Sequence, residues 1–153
     1  MYYKIIISLI CFLPFTGKSQ HIEKLNLVVN QWHHAAAKAD LSEYTKLMSD
    51  KFVFLGTAPG ERWRKEAFIS FSKPYFDKGK AWDFKPSNRT WEFNADSTIA
   101  WFDEELDTWM KGCRGAGIMI KEKGDWKIAY YNLTVLIENE KIKPFIELRE
   151  SKK

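Results

Sequence analysis

From His21 to Ala39 the apolar residues Ile22, Leu25, Val29, Trp32, Ala36 and Ala39 recur at steps of three and four. That spacing predicts one helix with a single apolar stripe. Asp40 stands three residues before Glu43, a capping-box pattern that predicts a short second helix carrying Tyr44, Leu47 and Met48. KFVFLGT, residues 51–57, is a short apolar run closed by Gly56 and predicts a strand. Pro and Gly mark APGERW, 58–63, as a loop. Helical spacing returns over 64–73 with Ala67, Phe68 and Phe71, until Pro74 stops or kinks the helix. From Trp82 the pattern turns to strands: WDFKP, TWEFN, STIAWFDEELDT, CRGAGIMIKE and DWKIAYYNLTVLIE. Turn signals separate them at 86–88, 94–97, 111–112 and 123–125. Helices followed by a long antiparallel meander predict an α+β domain, with helices packed on one face of a curved sheet.

Composition supports a folded chain, since 45% of the 153 residues are apolar and 16% aromatic. The opening MYYKIIISLICFLPFTGKSQ has a basic start at Lys4, an apolar run from Ile5 to Phe15 and small residues at Gly17 and Ser19. This is the layout of a signal peptide, 1–19, cleaved between Ser19 and Gln20, and it predicts export to a periplasm or the outside. The run is about 11 residues, short of the roughly 20 that span a bilayer, so no membrane association is expected after its removal. Removing 1–19 takes away Lys4 and Lys18 and no acid, leaving 22 basic against 20 acidic residues. A nearly neutral balance, with lysines alternating with acids, argues against nucleic acid as a partner. Cys113 is then the remaining cysteine, so no internal disulfide is expected and burial must hold the fold. No linker or repeat divides residues 20–140, which read as one domain, and 141–153 as a charged tail with a frayed end.

Alternation sorts the strands. In WFDEELD, 101–107, Ala100, Phe102, Glu104 and Leu106 share one face, and Trp101, Asp103, Glu105 and Asp107 the other. The first set predicts the core face, with Glu104 as its lone carboxylate. A slip of one residue would bring Asp103 and Glu105 inside instead. A three-residue hairpin at 123–125 would set Glu122 opposite Trp126, Ile118 opposite Tyr130, Ala116 opposite Asn132 and Arg114 opposite Thr134. Aliphatic residues would then fill one end of an inward face, and Arg114, Tyr130, Asn132 and Thr134 the other. Apolar walls with a few convergent polar groups make a small-molecule site. Glu104 and Arg114 would meet across adjacent strands, either as a structural ion pair or as a tuned general base with its partner.

The sequence resembles the nuclear transport factor 2-like superfamily, and within it the SnoaL-like domain. The likeness is carried by WHHAAAKADLSEYTKLMSDKFVFLGTAPGERW at 32–63, AWFDEELDT at 100–108, RGAGIMIKEKGDWKIAYYNLT at 114–134 and IENE at 137–140. It implies a cone of three N-terminal helices on a strongly curved, mainly antiparallel sheet, with a largely apolar pocket open at one end. It also implies a homodimer formed through the outer sheet face, where Trp101 and Trp91 are expected. Members differ in chemistry, so the resemblance supplies a pocket and not a reaction.

Two function classes follow. One is an exported protein binding a small, largely apolar molecule, with acid–base chemistry of an isomerase, cyclase or hydrolase type at Glu104 or Asp103, assisted by Arg114 and Tyr130. Its ligand-binding set is Trp32, His33, Tyr44, Phe54, Trp63, Phe102, Asn132 and Thr134. The other is a non-catalytic dimeric interaction module. No cofactor or metal is implied: His33 and His34 are adjacent on a helix and point about 100° apart, so they do not chelate one ion. Gly112, Gly115 and Gly117 follow no strand-to-helix turn and read as places of close backbone approach.

Overall fold

The computed structural model describes residues 16–151, with side chains from Gln20 onward. The signal-peptide reading of 1–19 therefore lies largely outside the described residues. Helix α1 (Thr16–Ala37) buries the stripe the spacing predicts, with Leu25, Val29, Trp32 and Ala36 all at 2% exposure or less. It ends where Ala39 takes a left-handed φ of 54°, and Asp40 N–H bonds back to the Ala35 carbonyl at 2.8 Å. The Asp40 carboxylate then caps α2 (Leu41–Lys46) by accepting the Glu43 N–H at 2.9 Å.

Strand β1 (Met48–Leu55) runs antiparallel to the short β2 (Arg62–Arg64), and α3 (Lys65–Asp77) follows. Two helices, not three, precede the first strand. Pro74 lies within α3 without ending it; so near the helix end it forgoes a single bond to the carbonyl four residues back. The sheet continues with β3 (Lys85–Phe93), β4 (Ile99–Thr108), β5 (Lys111–Glu122) and β6 (Asp125–Val135), in the order β2-β1-β6-β5-β4-β3. Every neighbouring pair is antiparallel except β1 with β6. The core is rich in aromatic rings; Phe54 stacks on Phe68 at 4.3 Å and Trp32 on Tyr44 at 4.8 Å between ring centroids.

Three local readings are corrected. WDFKP and TWEFN are not separate strands: the Pro-Ser-Asn signal marks a bulge inside β3, where Asn88 has φ 50°. The β4–β5 turn is Trp109–Met110, two residues before the predicted 111–112, and is closed by Thr108, whose hydroxyl accepts the Met110 N–H at 2.9 Å. The β5–β6 hairpin turns on two residues, Lys123 and Gly124 with φ 53° and 93°, so Glu122 faces Asp125 rather than Trp126. A shift between Ile118 and Met119 then restores the predicted pairs Ile118 with Tyr130, Ala116 with Asn132 and Arg114 with Thr134. Within the charged tail α4 (Ile142–Glu150) forms, with every residue exposed. Among the described residues no helix is long and apolar enough to cross a membrane.

Candidate functional site

Strand β4 alternates as predicted. Ala100, Phe102, Glu104 and Leu106 are buried, while Trp101, Asp103, Glu105 and Asp107 face outward. Glu104 is 1% exposed, and what it meets is not Arg114. Its Oε1 accepts from His33 Nε2 at 2.7 Å and from the Tyr131 hydroxyl at 2.8 Å. Its Oε2 accepts from Arg89 Nε at 2.8 Å and Nη2 at 2.6 Å. Four donors use the roughly four lone-pair positions a carboxylate offers. Burial alone would raise this carboxyl group, but the hydrogen bond from His33, the charge of that ring when protonated, the Arg89 guanidinium and the Tyr131 hydroxyl together hold it below the usual glutamate range. Burial, with the Glu104 charge beside it, pushes the Tyr131 phenol well above its ordinary value.

The bulge in β3 aims Arg89. Ser87 pairs with Glu105 and Thr90 with Asp103, so Asn88 and Arg89 together oppose Glu104. Asn88 turns outward to donate to Glu105 at 3.0 Å, and Arg89 turns in. The guanidinium's Nη1 donates to Asn26 Oδ1 at 3.0 Å and Asn30 Oδ1 at 2.9 Å. Asn26, Asn30 and His33 stand four and three residues apart on α1, a polar stripe beside the apolar one. Trp91 is also turned inward, against the expectation of an outer position, and its indole N–H donates to Asn26 Oδ1 at 2.9 Å.

Two glycines make room for this assembly. A Cβ at Gly115 would overlap the Tyr131 hydroxyl and come within 3.0 Å of Glu104 Oε1, and one at Gly117 would meet the Phe102 ring at 2.5 Å. The inward row of β5 is thus Cys113, Gly115, Gly117 and Met119, and that of β6 includes Ile128, Tyr131 and Leu133. Arg114, Tyr130, Asn132 and Thr134 therefore lie on the outer face, which corrects their expected place in the pocket. Their pairing was legible and their face was not, because rings from neighbouring strands fill the space that Gly115 and Gly117 leave. Asp103 is also outside, accepting from the Thr90 hydroxyl at 2.8 Å.

The expected lining residues divide. Trp32, Tyr44 and Phe102 are closed into the core: the Tyr44 hydroxyl accepts the Trp82 indole N–H at 2.9 Å, and the Arg89 guanidinium lies 5.7 Å from the Phe102 ring centre. Phe54 and Trp63 line an apolar slot of about 170 Å³ whose wall also includes Phe68, Phe71, Trp82, Phe84, Trp109, Met110 and Leu133, with Thr57 and Glu61 as its polar members. His33 lines a separate polar cleft of about 390 Å³ with Asn30, His34, Lys38, Asp83, Phe84 and Lys85. Phe84 is common to both.

The chemistry of His33 follows from its bonds. An ionised carboxylate only accepts, so Nε2 carries the hydrogen and Nδ1 of the neutral ring is an acceptor. Among the described residues Nδ1 has no hydrogen-bond partner, and the one fully buried side-chain nitrogen or oxygen without a partner is Trp32 Nε1. The His33 side chain borders the cleft, which is the side from which a ligand can reach it. Sequence reasoning missed Arg89, Asn26 and Asn30. The four-and-three spacing of the helix polar stripe could have found the asparagines; a bulge hid Arg89.

A six-stranded curled sheet with helices packed on it is the nuclear transport factor 2-like fold. Residues 25–138 match the SnoaL-like domain family, and the chain belongs to it. An NTF2-like protein from Cytophaga hutchinsonii superposes with TM-score 0.62 and 17% identity, over 79% of this chain and 100% of that one. A candidate dehydratase of the NTF2-like family from Streptomyces avermitilis gives TM-score 0.69 and 6% identity, over 80% and 100%. A candidate scytalone dehydratase from Novosphingobium aromaticivorans gives 0.66 and 11%, over 78% and 86%. No curated protein sequence matches the chain.

Proposed function

We propose that this SnoaL-like domain binds a small, largely apolar molecule where the polar cleft and the aromatic slot meet at Phe84, and moves a proton on it with His33. The carrying observation is that His33 lines the cleft with its Nε2 fixed on a buried carboxylate and no hydrogen-bond partner for Nδ1 among the described residues. Glu104 is the positioning residue in this reading. Its acceptor sites are occupied and its acidity is increased, so it holds the ring and stabilises an imidazolium without itself taking the proton. The reaction class is proton transfer at a carbon or hydroxyl next to a carbonyl, as an isomerase, cyclase or dehydratase requires. The structural neighbours that bear dehydratase names are consistent with that class.

The test needs no prior substrate. A panel of small cyclic ketones and enones in heavy water, followed by proton NMR, should show saturable exchange of hydrogens beside the carbonyl in the presence of the full chain. Exchange no faster than with buffer, across the panel, would remove the catalytic reading.

A second proposal, self-association, rests on the outer sheet face. Val53, Tyr130, Ile118 and Trp101 pair in one row across four strands, with Trp101 45% and Ile118 38% exposed. A continuous apolar row on an open sheet face suits a second copy. Sedimentation should give a dimer for the native chain and a monomer for Trp101→Glu; a native monomer at high concentration would sink this proposal.

A further inference from the structure

The aromatic slot beside the His33 cleft carries a recognition chemistry of its own. Trp63 stacks on Phe71 with centroids 4.5 Å apart, and Phe71 lies 6.4 Å from Trp82. Phe84 and Trp109 complete the wall, Trp109 being 83% exposed on the β4–β5 turn. Faces of aromatic rings carry negative potential and attract cations that have shed water. Within the same wall stands Glu61. Its Oε2 accepts the Ala58 N–H at 2.9 Å, which fixes the side chain against the 56–61 loop. Oε1 has no hydrogen-bond or ion-pair partner among the described residues, and no basic side chain lines the slot.

We propose that this slot is a cage for a quaternary ammonium head group, with Glu61 as its counter-charge. The volume of about 170 Å³ is close to the ~150 Å³ that holds one benzene ring, so the slot takes one compact head group and leaves the rest of the ligand outside. A primary ammonium is a poorer occupant, because its three N–H donors would find few acceptors there. A quaternary nitrogen has no donor to leave unsatisfied and presents methyl groups to the rings. An anion would be repelled by Glu61. The inference rests on the proposed function in taking the slot as part of the ligand site, and it names the charge of the group that enters there; apart from Phe84 its groups are not those of the cleft.

Tetramethylammonium and choline are the probes, with dimethylbutanol, the neutral analogue of choline in which carbon replaces nitrogen, as the control. Tryptophan fluorescence and calorimetry on the full chain would follow binding, with sodium chloride matching the ionic strength. Both cations should bind saturably, and the neutral analogue about tenfold more weakly or worse. Glu61→Gln keeps an acceptor for the Ala58 N–H and should weaken choline several-fold while leaving the neutral analogue unchanged. Trp109→Ala, at an exposed position, should weaken choline without altering the melting temperature. Equal binding of choline and its neutral analogue would overturn the cage while leaving a small-molecule slot in place. Absence of saturable cation binding, or full affinity in Glu61→Gln, would overturn it as well.

Discussion

Arg89→Met is expected to lower the free energy of unfolding by about 3–5 kcal/mol, the range found when one member of a buried ion pair is removed. The Arg89 and Glu104 side chains are 8% and 0% exposed, so water does not replace what is lost. Glu104 Oε2 would lose both its donors, while Asn26 and Asn30 would lose the guanidinium that ties β3 to α1. Chemical denaturation gives the measurement, and the double variant Arg89→Met, Glu104→Leu should recover part of the loss because no buried charge is then stranded. Stability should also fall on the acid side. Glu104 is held below the range it has in an unfolded chain, so its contribution is complete above the unfolded value near 4.3 and disappears as pH falls through the folded one. A native chain whose stability is flat below pH 4 would contradict the bonding described for Glu104.

His33→Gln is the substitution with the largest expected effect on turnover, a loss of about 10²–10⁴-fold in the heavy-water exchange assay, the contribution typical of a positioned acid or base. Glutamine can still donate to Glu104, so the fold should survive, and a melting temperature near native would confirm that the loss is chemical. Glutamine cannot titrate, which is the property the reading requires of this position. Glu104→Gln should act differently, because a neutral amide neither stabilises an imidazolium nor enforces the Nε2–H form. It should depress turnover and move the pH profile together. Native exchange rates in His33→Gln would show that the His33–Glu104 bond serves only the fold.

Much of this assembly was legible before the structure. The stripe of α1, the Asp40 cap and the division of β4 all follow from spacing, because each depends on contacts repeated at regular steps. The family resemblance supplied the cone. What could not be read were departures from regularity. The bulge at Asn88 reverses which residues of β3 face inward, and the cue that betrays it, Pro-Ser-Asn, is equally the cue for a turn. The inner face of β5 was hidden for a related reason. Gly115 and Gly117 carry no side chain to mark them as buried, although they are the places where Tyr131 and Phe102 must fit. Arg114 is a partner that alternation alone offers Glu104, whereas the charge that meets it, Arg89, comes from the other neighbouring strand.

A locked, ionised Glu104 fixes the His33 ring by Nε2 at the edge of the cleft and leaves Nδ1 without a partner among the described residues. Nitrogen-15 NMR of the imidazole ring in the native chain tests it most directly. The neutral ring of His33 is expected to be protonated at Nε2, with Nδ1 at the shift of an unprotonated acceptor, and that shift should move when a ligand enters the cleft. A neutral ring protonated at Nδ1, or an Nδ1 signal indifferent to any cleft ligand, would contradict it.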